Sequence, residues 1–223
     1  MGKVRFDIED SGQIYYDKFK TTNIKEELLM INDSAINQAL QDLIEGNKRF
    51  AAMRQTHPNQ DKARRDEVKT GQKPFAVIVG CSDSRIPPEI LFDQGIGDLF
   101  IIRLAGNIVD DTALGSVEYA VDHLGTPLVV VLGHSNCGAV TAVAKGAEAH
   151  GHIGSIVQRI APVVDWARNR SGDLIDNAIR ENARRVAADI SSSQPILSKM
   201  VEEGKTAVVP MYYDIDTGLV ELL

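Results

Sequence analysis

Two short stretches hold most of the side chains in this sequence that could do chemistry together. The first is Gly80-Cys81-Ser82-Asp83-Ser84-Arg85, with a thiol, a carboxylate and a guanidinium at alternate positions. The second is Gly133-His134-Ser135-Asn136-Cys137-Gly138-Ala139, with an imidazole and a thiol three residues apart. Two thiolates, an imidazole and a carboxylate form a donor set that suits tetrahedral zinc. Neither pair decides the matter by its spacing. Cys81 and Cys137 are the 2 cysteines of the 223-residue sequence, and in a secreted protein they would first be read as a disulfide. No secretory signal pattern opens the sequence. The expectation is therefore a reducing, cytoplasmic compartment, in which such a pair serves a metal or catalysis.

The flanking residues say how the two stretches could meet. Phe75-Ala76-Val77-Ile78-Val79 is too short for an ordinary helix and reads as a buried strand, from about 75 to 80. Pro87-Pro88 forces a turn soon after it. Pro127-Leu128-Val129-Val130-Val131-Leu132 is a second buried run, with its strand at about 128–133. If the two strands are parallel neighbours, Cys81, Asp83, His134 and Cys137 reach one carboxyl-terminal sheet edge, where ligands bind in open α/β sheets.

The rest of the chain supplies the other elements. Asp33-Ser34 starts a helix with apolar residues at Ile36, Leu40, Leu43, Ile44 and Phe50. Residues 61–69 form a short charged helix. Leu99 to Arg103 is a strand, and Thr112 to Leu124 a helix. Helices are also expected after Cys137, at 156–167 with Pro162 in the first turns, at 174–190 and at 196–203. Residues 206–213 are a strand in which Pro210 suggests an edge or a bulge, and Asp216-Thr217-Gly218 turns a hairpin into a last strand, 219–222. This pattern predicts an α/β domain over 34–223. Its mainly parallel sheet has four parallel strands plus an antiparallel C-terminal edge strand, with flanking helices. Residues 1–33 are expected to form a helical N-terminal arm. His150 and His152 read as a solvated loop, since nothing near them in sequence completes a ligand set.

Composition narrows the functional classes. Apolar residues make up 43% and charged residues 25%, and the formal net charge is -7. That balance argues against general nucleic-acid or anionic-membrane binding. No apolar run approaches the roughly 20 residues of a membrane helix.

Cys81-x-Asp83-x-Arg85 together with His134-x-x-Cys137 resembles the β-class carbonic anhydrases. Phe92-Asp93-Gln94-Gly95, Arg103-Leu104-Ala105-Gly106-Asn107 and Ser116-Val117-Glu118-Tyr119-Ala120-Val121 fit the same family pattern, in order. The resemblance covers about 34–223. It implies a zinc lyase with one Zn2+ per subunit, hydrating carbon dioxide reversibly to bicarbonate and a proton by zinc-bound hydroxide. Cys81, His134 and Cys137 would be permanent ligands. Asp83 would pair with Arg85 in an open state and become the fourth ligand only in a closed one. Gln72, nine residues before Cys81, matches a substrate-facing glutamine of plant-type members. Ile78 stands where bicarbonate-regulated members carry tryptophan. Both favour the open type. Phe100 and Tyr119 match substrate-pocket positions that the neighbouring subunit can supply, and His123 a proton-transfer position. A homodimer or higher homo-oligomer follows. Two alternatives remain at this level: a carbonyl sulfide or carbon disulfide hydrolase on the same fold, and a closed, non-catalytic zinc module.

Overall fold

A computed structural model describes residues 34–223, so the expected arm at 1–33 lies outside the described residues. A five-stranded sheet forms the centre, in the order β2-β1-β3-β4-β5. Its strands are β1 (Ala76–Gly80), β2 (Leu99–Arg103), β3 (Leu128–His134), β4 (Ala207–Tyr213) and β5 (Val220–Leu222). The first four are mutually parallel and β5 runs antiparallel to β4, as the sequence pattern predicts. β1 and β3 are buried throughout, which is why both read as unbroken apolar runs. Ile78 and Val130 enter one core layer; Val77, Val79, Val129 and Val131 enter the layer on the opposite face.

The helices are α1 (Ser34–Ala51), α2 (Lys62–Val68), α3 (Pro88–Leu91), α4 (Asp111–Glu118), α5 (Gly138–Ala144), α6 (Ile153–Ala167), α7 (Leu174–Ser192) and α8 (Leu197–Glu202). Among the described residues no helix is long and apolar enough to cross a membrane. Gly46 does not end α1. A Cβ there would meet the Phe92 carbonyl oxygen at 1.8 Å, so the glycine permits close approach of the chain beyond α3.

Three local readings need correction. Pro162 is not in the first turns of its helix, because α6 starts at Ile153. Pro162 and Gln158 are both exposed, so the carbonyl left without an amide donor faces water. Pro210 lies within the inner strand β4, opposite Val131 of β3. Its carbonyl accepts from Leu223 N–H on the β5 side, so the missing donor falls away from the β3 ladder. The helix expected over 112–124 stops as an α-helix at Glu118 and continues as a wider π-type turn, Tyr119–His123. Apolar spacing over a single turn cannot distinguish the two windings.

Strand order and register place the two chemical stretches together. Gly80 at the end of β1 is level with Arg103 of β2 and Leu132 of β3. The chain leaves β1 for β2 on one side, then crosses back to β3 on the other. The carboxyl ends of β1 and β3 therefore flank the point where strand order reverses, the usual ligand crevice of such sheets.

Candidate metal centre

Cys81 is the first residue after β1, and its position is fixed from β2 and the turn beyond it. Arg103 donates from Nε to the Cys81 carbonyl at 2.8 Å and from Nη2 to the Asp83 carbonyl at 2.5 Å. The Gly106 amide donates to Cys81 Sγ at 3.2 Å. Gly106 and Asn107 are both left-handed, with φ of 72° and 44°. A Cβ on Gly106 would lie 2.7 Å from Ile160 Cδ1, so the residue type is required twice over.

His134 closes β3 and its ring is fully buried. Nδ1 lies 2.9 Å from the Ser135 carbonyl. A carbonyl only accepts, so Nδ1 carries the proton and Nε2 presents a lone pair. That Nε2 is buried without a hydrogen-bond partner. Ser135 is itself tied down: its amide donates to Tyr213 O, and its Oγ accepts from Ile215 N, each at 2.9 Å. Asn136 takes φ 56° and turns the chain into α5, with Cys137 as its N-terminal cap residue.

The donor atoms of Cys81, His134 and Cys137 all lie within 4.8 Å of one another, and all three residues are buried. Without metal the two sulfurs share a proton. Donation from Cys137, with help from the Gly106 amide, holds the Cys81 thiol below its ordinary range. The same bond and burial push Cys137 up. An ion binding here would displace that last proton. An orphaned imidazole nitrogen beside a thiolate and a thiol fits zinc in donor type and number.

Asp83 points at Arg85 instead of joining the three. Arg85 donates from Nε to Oδ1 at 2.9 Å and from Nη2 to Oδ2 at 2.7 Å. The Arg85 amide adds a third bond, 3.0 Å to Oδ1. The guanidinium bonds chiefly hold the Asp83 carboxyl down to about 2. Arg85 Nη2 also donates to the Asn136 carbonyl at 3.1 Å, which ties the first stretch to the second. Asp83 Oδ2 remains 4.0 Å from His134 Nε2, beside the cluster but not in it.

The other expected site residues are not gathered here within one chain. Gln72 is on the exposed loop that enters β1 at the end opposite the cluster. Phe100 packs on the sheet face opposite Cys81 and Cys137. Its ring lies 6.3 Å from that of Tyr119, which stacks on His123 at 5.3 Å. Tyr119 is 46% exposed.

Residues 76–220 match the carbonic anhydrase family. Carbonic anhydrase 2 of Mycobacterium tuberculosis is 41% identical over 180 residues, 79% of this chain and 87% of that protein. The solved Coccomyxa β-carbonic anhydrase, in complex with acetazolamide, matches with a TM-score of 0.63 and 29% identity, covering 71% of this chain and 75% of that one. The chain belongs to the β-carbonic anhydrase family. A further relative, the carbonic anhydrase of Mycolicibacterium smegmatis, is 38% identical over 195 residues, 86% of this chain and 93% of that protein.

Sequence reasoning did not single out Ser135, Gly106 or Asn182 for the centre. Ser135 and Gly106 act through backbone groups, which leave no side-chain signature. Asn182, 2% exposed on α7, donates to the Gly106 carbonyl at 2.8 Å. It is separated from that partner by 76 positions, beyond any local spacing rule.

Proposed function

We propose that Cys81, His134 and Cys137 hold one zinc ion per subunit, and that the chain hydrates carbon dioxide reversibly to bicarbonate and a proton. The observation that carries this reading is the buried, unpartnered Nε2 of His134 facing two sulfurs, next to a carboxylate that Arg85 keeps away. Three protein donors with the fourth candidate held back suit a catalytic site more than a closed structural one. Bound zinc supplies a Lewis acid that activates water near neutral pH. Asp83 is ionised and can only accept, so it can hold a proton of the attacking water and aim the oxygen lone pair at carbon. The Asp83–Arg85 pair, Gln72 and Ile78 together support the open, plant-type subclass.

Phe100 and Tyr119 cannot line the cluster of their own chain from the opposite sheet face. We assign them to the pocket of a neighbouring subunit in a homodimer or larger homo-oligomer, with Gln72 on the substrate and His123 in proton transfer. Tyr119 and His123 are exposed and stacked, as such a role needs. Two functional thiols suit a reducing compartment, and we place the enzyme in the cytoplasm.

The test is stopped-flow hydration of carbon dioxide by zinc-quantified protein, from about pH 6.5 to 9. Two thiolates donate more charge to the ion than imidazoles do and weaken water activation. The rate is therefore expected to rise smoothly from neutral to alkaline pH. Onset only above about pH 8, with zinc present throughout, would overturn the open assignment. No hydration at any pH would overturn the activity.

A further inference from the structure

We propose that Asn182 is a positioning residue for the metal centre, fixing the Gly106 turn so that the Gly106 amide donates to the Cys81 sulfur. The inference rests on Cys81 being a zinc ligand. Its geometry is a relay of two hydrogen bonds. Asn182 Nδ2 donates to the Gly106 carbonyl at 2.8 Å, and Gly106 N donates to Cys81 Sγ at 3.2 Å.

The turn needs an external hold. Gly106 and Asn107 are consecutive left-handed residues, a conformation that surroundings must enforce when one of them is not glycine. The Gly106 carbonyl accepts inside the protein and has Asn182 as its buried donor. Fixing that carbonyl limits rotation about the residue and with it the direction of the N–H. Asn182 suits this role, because its amide donates without bringing a charge that would compete for the sulfur. It is mounted on α7, which packs against the central strands. An N–H···S bond favours the thiolate over the thiol and fixes the direction of the sulfur, so Cys81 stays a ready ligand for the ion. Asn182 thus acts on ligand strength from two bonds away without touching any ligand.

The test uses cadmium-113-loaded, isotope-labelled holoprotein and NMR. In the wild type, cadmium is expected to couple to the Cys81 β-protons and, through sulfur, to the Gly106 amide proton. Asn182→Leu and Asn182→Asp both remove the donor. Each is expected to lose the Gly106 coupling and release metal to a chelator about tenfold faster. Asn47→Leu is the matched control. Asn47 is a buried asparagine on α1 that donates to the Leu91 and Gly218 carbonyls, away from the Gly106 turn. It is expected to leave coupling and release rate unchanged. Cys81 coupling without Gly106 coupling in the wild type would overturn the inference and leave the zinc assignment standing. Absence of Cys81 coupling would overturn the zinc assignment itself. An Asn182 variant with wild-type coupling and release would also overturn the inference, as would an equal effect from Asn47→Leu. If neither Asn182 variant folds, the wild-type coupling across the hydrogen bond from Asn182 Nδ2 to the Gly106 carbonyl carbon decides: present it supports the relay, absent it ends it.

Discussion

Arg85 determines where the Asp83 carboxylate sits. Its fork makes two bonds to that group, and without them only the Arg85 amide, 3.0 Å from Oδ1, opposes a turn of Oδ2 towards His134 Nε2, already 4.0 Å away. Arg85→Ala is therefore expected to keep full zinc content but to lose at least about tenfold in turnover. Metal analysis beside stopped-flow rates checks this; full zinc with an unchanged rate would refute it. The residues of this centre divide into two kinds by how readable they are. Cys81, Asp83, His134 and Cys137 are conspicuous because strand ends and side-chain chemistry coincide. Gly106 and Ser135 hold them through main-chain groups, which have the same chemistry at nearly every position, and the Asn182 side chain acts from 76 positions away on the Gly106 carbonyl.

At the scale of elements, buried charges decide how the pieces around the sheet are joined. Asp93, after α3, is 2% exposed and left-handed. Its carboxylate accepts from Arg49 Nε of α1 at 2.6 Å, Thr56 N at 2.9 Å, Thr56 Oγ1 at 3.1 Å and His57 N at 3.0 Å. Burial opposes the charge, but these donors prevail together and hold the carboxyl below its ordinary value of 3.8. A lowered folded-state value means the contribution is full above that ordinary value and fades as pH falls through the folded one. Asp93→Asn should cost roughly 2–3 kcal/mol at neutral pH, and the deficit should shrink below about pH 4. Urea unfolding of both proteins with metal removed checks it; a deficit constant down to pH 2 would refute the linkage. Strand positions were legible because apolar runs of five to seven residues bury both faces. The π-type turn at Tyr119 was not, because i+4 spacing serves either winding. Pro162 misled because solvent can relieve a proline that the helix rule treats as a terminus.

Over the whole molecule, strand order bears on where a second copy could meet the first. The sheet has two edges and they are not alike. β5 is three residues long and carries Glu221, a short charged edge of the kind that resists pairing. β2 is Leu-Phe-Ile-Ile-Arg, apolar over four residues, with the exposed side chains of Ile96 and Tyr119 near it in the chain or in contact. Among the described residues no strand lies beyond β2, and an apolar edge of this kind invites a partner; a two-fold axis lets a second copy present the same edge to it. Strand order could not be read from local pattern, since apolar runs do not say which strand ends up outermost. Phe100→Lys puts a charge on β2 and is expected to shift the protein towards monomer in sedimentation velocity. Turnover should fall with it, since under the proposed arrangement the variant lacks Phe100 and its Tyr119 no longer reaches a neighbour's pocket, while zinc content is expected to stay near one per chain. Cys81, His134 and Cys137 all belong to one chain, so metal binding is expected to survive separation even where the proposed shared pocket is lost. A monomer with full turnover would show that each chain completes its own pocket, and a variant that remains dimeric would move the interface away from β2.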